Sequence, residues 1–421
     1  MRRAPIALAL PIATLALALP GAAGAQYGPA TAPPTPSGPS GDAVVTWNRE
    51  LLKIVRTPGA QPATIHSTRN MALVQAAVHD AVVSIDHSGR PLLARVEAPR
   101  RAARVAAADA AAHDVLAALY PAMRPELDQL ETGELAKAPA GARRAQGVHV
   151  GRAIARRALA ARTDDGSGAM PPSYATNGEP GDYQPTPPAF APAVFTHWSQ
   201  VRPFVLPGAD QLRPPAPPEP DSTEFEQAVA QVESVGSATS TTRTDDQTQA
   251  AHFWSGAIQD YWNEIAQTVL IARHADLDTS AQVLAVLDAT LADATIAMYD
   301  AKYAYRVQRP VTAIRAAGNG DWTPLLNTPP DPSYPGAHSV LSAAAATVLG
   351  GLFGDRGDLV VTSEVLPAVQ RRFDSFSAAV REAGMSRVWG GVHSALDDAS
   401  GQVLGRAVGR YVLRAEYRPM R

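Results

Sequence analysis

The sequence predicts an all-α protein, and three observations carry that expectation. Ala-rich segments begin at Val44 and place apolar residues three and four positions apart, as Met71, Val74, Val78 and Val82 do in "ATIHSTRNMALVQAAVHDAVVSI". Period-2 alternation of β-branched residues, which a half-buried sheet requires, is nearly absent. With 421 residues, 46% hydrophobic and 18% charged, the chain can bury a large core, and with 0 Cys it must hold that core by packing rather than by disulfides.

Residues 1–25, within "MRRAPIALALPIATLALALPGAAGAQ", combine an Arg pair, an apolar stretch and Ala23-Gly24-Ala25, the pattern of a secretory signal peptide. Pro11 and Pro20 interrupt the apolar stretch, which falls short of the roughly 20 residues a membrane span needs. A secreted, extracellular protein with no stable membrane span is therefore expected. Residues 26–43, "QYGPATAPPTPSGPSGDA", bury too little apolar surface to order themselves and read as a disordered Pro/Ser/Gly leader.

Residues 44–421 read as a single all-α domain. Its N-terminal helical half, 44–163, contains the segment above together with "RVAAADAAAHDVLAALYPAM" and "ARRAQGVHVGRAIARRALAAR". Residues 164–222 then form a long Pro-rich irregular stretch. Its aromatics Tyr183, Phe190, Phe195, Trp198 and Phe204 argue for an ordered cover on the helices rather than a linker. Helical periodicity resumes at Thr223, and in the C-terminal bundle, 223–421, the stretches 223–301 and 338–417 read as long, closely packed helices. No fixed-period internal repeat is evident.

Lys+Arg 37 against Asp+Glu 40 gives a net charge of −3, which argues against nucleic-acid and membrane-surface binding and leaves any anion site to local clustering. The 0 Cys exclude zinc fingers, iron–sulfur clusters and thiol catalysis. Composition sets no oligomeric state.

Three segments carry candidate chemistry. In "PSYPGAHSV", His338 falls at the start of an Ala- and Leu-rich helix, where unpartnered N–H groups and the dipole favour an anion. In "DAKYAYRVQRPVTAIR", Lys302 and Arg309 are seven positions apart, about two turns, so both cations are expected on one helix face before Pro310 closes the run. Taken alone, such a pair is more often a solvated basic face. In "GMSRVWGGVHSALDDASGQVLGRAVGRYVL", Ser386-Arg387 precedes His393 by a short Gly-containing turn, and Asp397, four residues on, is expected to stack with it on one helix face and orient the imidazole. A surface His paired with a surface Asp fits that segment as well. His79 and His113, each followed by Asp in Ala-rich segments, read as core or interhelical residues, and Asp245, Asp246 and His252 as candidate supports of the arginines.

The order Lys302-x6-Arg309-Pro310, Pro335-Gly336-Ala337-His338, Ser386-Arg387-x5-His393 resembles the signature shared by vanadium-dependent haloperoxidases and type 2 phosphatidic acid phosphatases. "QPTPPAFAP", "RTDDQTQAAHFW" and "LVQAAVHDAV" extend the similarity over most of the chain from about Val44, in the manner of bacterial secreted members. The resemblance implies two helical bundles in one unit, with the site on the second. It also implies a vanadate cofactor held by Lys302, Arg309, Gly336, Ala337, Arg387 and His393, with His393 as the vanadium ligand, His338 as acid/base and Lys302 polarising bound peroxide. Hydrogen peroxide and a halide are then the expected partners. The alternative it implies is a soluble secreted acid phosphatase acting on a phosphate ester, with His393 as nucleophile and no vanadium.

Two departures matter. The family's usual Pro-Ser-Gly-His is here Pro335-Gly336-Ala337-His338, which removes a hydroxyl worth roughly 1.5 to 3 kcal/mol to a charged group and predicts weaker vanadate binding; the N–H groups of Gly336 and Ala337 are expected to remain as donors. Asp331 falls where the chloroperoxidases carry Phe and the bromoperoxidases His. Its carboxylate is expected either to repel halide or to pair with His338 and raise its pKa, with bromide or iodide preferred to chloride.

Overall fold

The computed structural model describes residues 28–29, 42–60, 64–87 and 89–416. The signal-peptide reading of 1–25 lies outside the described residues, as does most of the leader. Helices α1 (Asp42–Arg56), α2 (Thr64–Asp86), α3 (Arg104–Leu119), α4 (Arg124–Lys137) and α5 (Ala142–Ala161) build the first half. After the irregular stretch come α6 (Thr223–Val235), α7 (Asp245–Phe253), α8 (Ile258–Ala272), α9 (Leu277–Tyr305), α10 (Pro310–Ala316), α11 (Ala337–Phe353), α12 (Phe376–Trp389) and α13 (Ala395–Glu416). The expected all-α class holds, with one correction. The stretch read as long, closely packed helices over 338–417 is interrupted by an antiparallel hairpin, β2 (Arg356–Thr362) and β3 (Val369–Ser375), whose β3 also pairs with a two-residue strand, β1 (Gly28–Pro29), in the leader. The alternation in β3 is real but short, with Gln370, Arg371, Phe373 and Ser375 buried and Arg372 and Asp374 exposed; three of its inward residues are polar, so apolar periodicity could not reveal it.

α9 explains how the halves join. It is buried at every position from Val283 to Tyr299 and packs along α2 of the first half and α11 and α13 of the second. By length and composition it could cross a membrane, but 94% of its apolar window is buried inside the molecule, as in a core helix. Asp276 caps its start by accepting from Thr279 N–H at 2.9 Å.

The halves repeat two devices. In the first, Asp80 of α2 accepts the N–H groups of Leu92, Leu93 and Ala94 at 2.7 to 2.8 Å; in the second, Asp293 of α9 accepts those of Phe204, Val205 and Leu206 at 2.6 to 2.8 Å. The clamped segments read Arg90-Pro91-Leu92-Leu93-Ala94 and Arg202-Pro203-Phe204-Val205-Leu206. Close helix pairs form the second device. A Cβ on Gly147 or Gly151 of α5 would collide with the backbone of α3, and one on Gly401, Gly405 or Gly409 of α13 with α11. Glycine at four-residue spacing lets the backbones touch.

The 164–222 stretch is ordered and lies on α9 and the loops beyond it. Tyr183 and Trp198 are fully buried, Val194 N–H donates to Pro330 O at 3.0 Å, and Tyr305 and Tyr334 hydroxyls donate to Pro214 O and Pro215 O at 2.6 and 2.7 Å. Phe190 alone of the five aromatics is exposed.

Candidate active site

The C-terminal end of α9 delivers Lys302, and the chain then changes direction. Arg306 takes a left-handed conformation (φ 56°) that closes α9, and Arg309 is the N-cap of α10, whose first residue is Pro310. Lys302 and Arg309 are therefore not on one helix face, contrary to the sequence expectation. They meet because the turn folds Arg309 back beneath α9, and both are buried, at 0% and 1% exposure. Nor is either a solvated surface cation.

Both cations meet at Asp331. Its Oδ1 accepts from Arg309 Nη2, its Oδ2 lies 3.5 Å from Lys302 Nζ, and its carbonyl accepts from Arg309 Nε at 2.7 Å. Burial alone would raise this carboxyl, but Lys302 and Arg309 outweigh it and hold the pKa below the usual range. Pairing of Asp331 with His338 is not what forms; the carboxylate faces the cations. Lys302 Nζ also donates to Pro332 O and to Ser333 O at 3.3 Å, and burial lowers its pKa to about 8 against the opposing pull of Asp331.

His393 sits between α12 and α13, one residue before Ser394 and two before the helix, so it is not stacked on the α13 face as the spacing suggested. The Gly390-Gly391 turn brings it back so that its Nδ1 still lies 3.3 Å from Asp397 Oδ2 in the first turn of α13. Asp397 Oδ2 also accepts from Ser394 N–H and Ser333 Oγ–H, both at 2.7 Å. Burial would raise Asp397, but the His393 hydrogen bond and those from Ser394 and Ser333 hold its pKa down. This carboxylate places the imidazole proton on Nδ1 and leaves the Nε2 lone pair facing Arg309 Nη1 at 3.2 Å. Burial, then Arg309, depress the His393 pKa to about 3, so the ring is neutral at ordinary pH.

His338 is the second residue of α11 and half-buried. Its Nε2–H donates to Trp254 O at 2.7 Å, which leaves Nδ1 as the basic nitrogen, and burial and Arg387 push its pKa well below the usual value. Gly336, the N-cap, does not offer a free N–H as expected: it donates to Asp397 O at 2.9 Å. Ala337 opens the helix, where geometry leaves the first N–H groups without an intrahelical acceptor.

Arg387, near the end of α12, is 6% exposed, and its Nε and Nη1 are buried without a hydrogen-bond partner. Burial and the nearby Arg309 lower its pKa to about 10. A buried guanidinium with open donors is costly unless an anion joins it, so these two nitrogens fit an oxyanion. The cluster therefore unites Lys302, Arg309, Asp331, His393 and Asp397 in direct contact, with His338 and Arg387 close enough to bias one another's titration. Sequence reasoning missed Ser333: a Ser between two prolines reads as a turn residue, and only the fold aims it at Asp397. Asp246 pairs with Arg371 at 3.0 Å and so does not support the site arginines. His79 and His113 are buried and bonded to Arg90 O and to Asp114 and Asp128, as structural residues would be. A cavity of about 400 Å³ between α1, α8 and the hairpin shares no residue with the cluster, and of its cations, Lys53, Arg56 and Arg372 are paired with Glu50, Glu264 and Asp358, while Arg49 donates to Gln267 Oε1.

Residues 282–420 match the VCPO second helical-bundle domain, the part of the chain that carries Lys302 through His393. The fold is similar to that of a bacterial vanadium-dependent iodoperoxidase (TM-score 0.78, 25% identity, covering 91% of this chain and 98% of that one). It is also similar to the holo and apo forms of a bacterial vanadium-dependent chloroperoxidase (TM-score 0.70 for both; 18% and 16% identity; 86% and 84% of this chain, 95% of each of theirs). No curated protein matches the chain. Residues 282–420 thus match the second helical-bundle domain of that family model, and the fold over most of the chain is similar to that of the vanadium haloperoxidases.

Proposed function

We propose that the protein is a haloperoxidase-like oxidoreductase that uses hydrogen peroxide to oxidise a halide, with vanadate as its cofactor. The observation that carries this reading is the buried Arg387 with two open donors beside a neutral His393 whose Nε2 lone pair is held ready by Asp397. Lys302, Arg309, Arg387 and His393 would hold vanadate, which when bound supplies Lewis-acid activation of peroxide. His393 offers Nε2, and Asp397 fixes its tautomer. Arg387, with its open donors, and Arg309 would direct N–H groups at the oxygens of that anion, a task a guanidinium fork performs better than an ammonium. Lys302 neutralises charge from within a dry site, where such effects are strongest. His338, neutral and fixed through Nε2–H, takes a proton on Nδ1 from incoming peroxide and returns it to the leaving oxygen.

Iodide and bromide are the expected halides rather than chloride, because Asp331 adds negative charge beside the site and chloride is the hardest of the three to oxidise. Export is proposed from residues 1–25 alone. The test is iodide- and bromide-dependent peroxidase turnover of the chain from Gln26, with and without vanadate, beside phosphate-ester hydrolysis on the same sample. Vanadate-dependent halide oxidation that is lost in His393→Ala is the expected result. Ester hydrolysis inhibited by vanadate, without halide oxidation, would instead assign the phosphatase chemistry that the same geometry supports, with His393 Nε2 attacking phosphorus.

A further inference from the structure

The donors of the cluster are unequally occupied. Arg309 gives Nη2 and Nε to Asp331 and Nη1 to Val392 O at 2.8 Å, and Lys302 faces Asp331 Oδ2 and two carbonyls. Arg387 alone of the three cations keeps buried N–H groups without a partner. A tetrahedral oxyanion that engaged all three would need the donors Asp331 now holds. The charges sharpen the point: Asp331 is a buried carboxylate in contact with two of the three cations that an oxyanion would need.

Resting on the oxyanion-site reading above, we propose that Asp331 is a specificity-determining internal anion: it holds Arg309 and Lys302 in the anion-free protein, yields Arg309 Nη2 to the incoming oxyanion, and by staying in the cluster favours singly charged over doubly charged tetrahedral anions. The buried Asp331 carboxylate repels each negative charge that an incoming anion brings, and so opposes a dianion about twice as strongly as a monoanion. Vanadate is mainly a monoanion near neutral pH, and a phosphate monoester carries close to two charges there. The one residue thus tilts a geometry that serves both chemistries towards the peroxidase cofactor and away from phosphate esters. It also keeps two buried cations satisfied when no anion is bound, so folding does not depend on loading.

The test is isothermal titration at pH 7.5 with two tetrahedral probes, orthovanadate at low micromolar concentration and tungstate, a dianion. Wild type is compared with Asp331→Asn, which keeps the shape but removes the charge, and Asp331→Glu, which keeps the charge. Asp331→Asn is expected to tighten tungstate at least tenfold and vanadate by a smaller factor, while Asp331→Glu keeps the wild-type ratio of the two. Anion-free Asp331→Asn should also melt lower than wild type, yet gain more in Tm on saturation with tungstate. Asp331→Ala serves the same comparison if the Asn variant does not fold. Affinities of the neutral variant within threefold of wild type for both probes, or a larger gain for vanadate than for tungstate, would overturn the role of Asp331 and leave the oxyanion site standing. Failure of folded wild type and neutral variant alike to bind either probe would overturn the site reading and this role with it.

Discussion

Asp397 Oδ2 receives three donors, His393 Nδ1–H, Ser394 N–H and Ser333 Oγ–H, while its own carbonyl receives Gly336 N–H. One residue in the first turn of α13 thereby ties together the loop before α11, the start of α11 and the His393 turn. Ser333→Ala removes one donor and loosens the carboxylate that orients the ring. Partners of this kind are typically worth about tenfold or more in affinity or activity, so vanadate affinity and kcat should each fall by roughly that factor while the halide KM holds. Equilibrium dialysis of vanadate beside steady-state kinetics reads both, and unchanged affinity would show that Ser394 and His393 fix Asp397 unaided. At this scale the sequence revealed the residues that carry charge or a lone pair, because fixed spacings mark them. What it could not reveal was the company they keep: that Gly336 N–H is taken, that Asp331 faces Arg309 and not His338, and that Ser333 points inward. Each of those depends on backbone direction across a turn, which residue identity does not encode.

Elements show the same division between pattern and direction. The expectation that Lys302 and Arg309 share a helix face followed from 3.6-residue periodicity, and it failed because Pro310 acts as the start of α10 rather than as the stop of α9. The cover stretch was legible from its aromatics, since Tyr183 and Trp198 had to be buried somewhere, but its attachment was not. That attachment runs through Asp293, whose carboxylate takes the N–H groups of Phe204, Val205 and Leu206 from inside α9. Asp293→Ala leaves three backbone donors without their acceptor, a loss on the order of 3 kcal/mol, and releases the cover from the middle of the molecule. Limited proteolysis should then cut first within 164–222, well before the helices, and Tm should fall. Cleavage that begins elsewhere would place the anchor of the cover in its contacts with the 330–334 loop.

For the molecule as a whole, the two-bundle arrangement came from the resemblance rather than from periodicity, and its internal logic became visible only in three dimensions. A carboxylate clamp and a glycine-spaced helix pair recur on both sides of the molecule, at Asp80 and Asp293 and on α5 and α13, yet they share too little sequence to register as a repeat. The seam between the halves contains a further polar group, Asp288 of α9, fully buried, with Oδ1 accepting from Asn263 Nδ2 at 2.8 Å and Oδ2 without a hydrogen-bond partner. Burial pushes its pKa up to about 7, against which the Asn263 hydrogen bond works only partly. The sign of the consequence follows from proton counting. Between the unfolded carboxyl value near 4 and the folded value, the native chain holds a proton that the unfolded chain has released, so stability falls as pH rises through that window and levels off above it. Asp288→Asn removes this dependence while retaining an acceptor for Asn263. Its stability advantage over wild type should therefore grow between pH 5 and pH 7 by about 1.4 kcal/mol per pH unit and stay flat from there to pH 8. Asp80 and Asp109, also raised to about 7, are present in both proteins and cancel in the difference, whereas Asp260, raised to about 7 by burial and in small part by Asp288, loses that last contribution in the variant. Urea unfolding of the two proteins at pH 5, 6, 7 and 8 measures the gap directly. A gap that does not change with pH would mean that Asp288 is already ionised throughout, and that the seam between the bundles tolerates a charge that its burial and its one hydrogen bond do not account for.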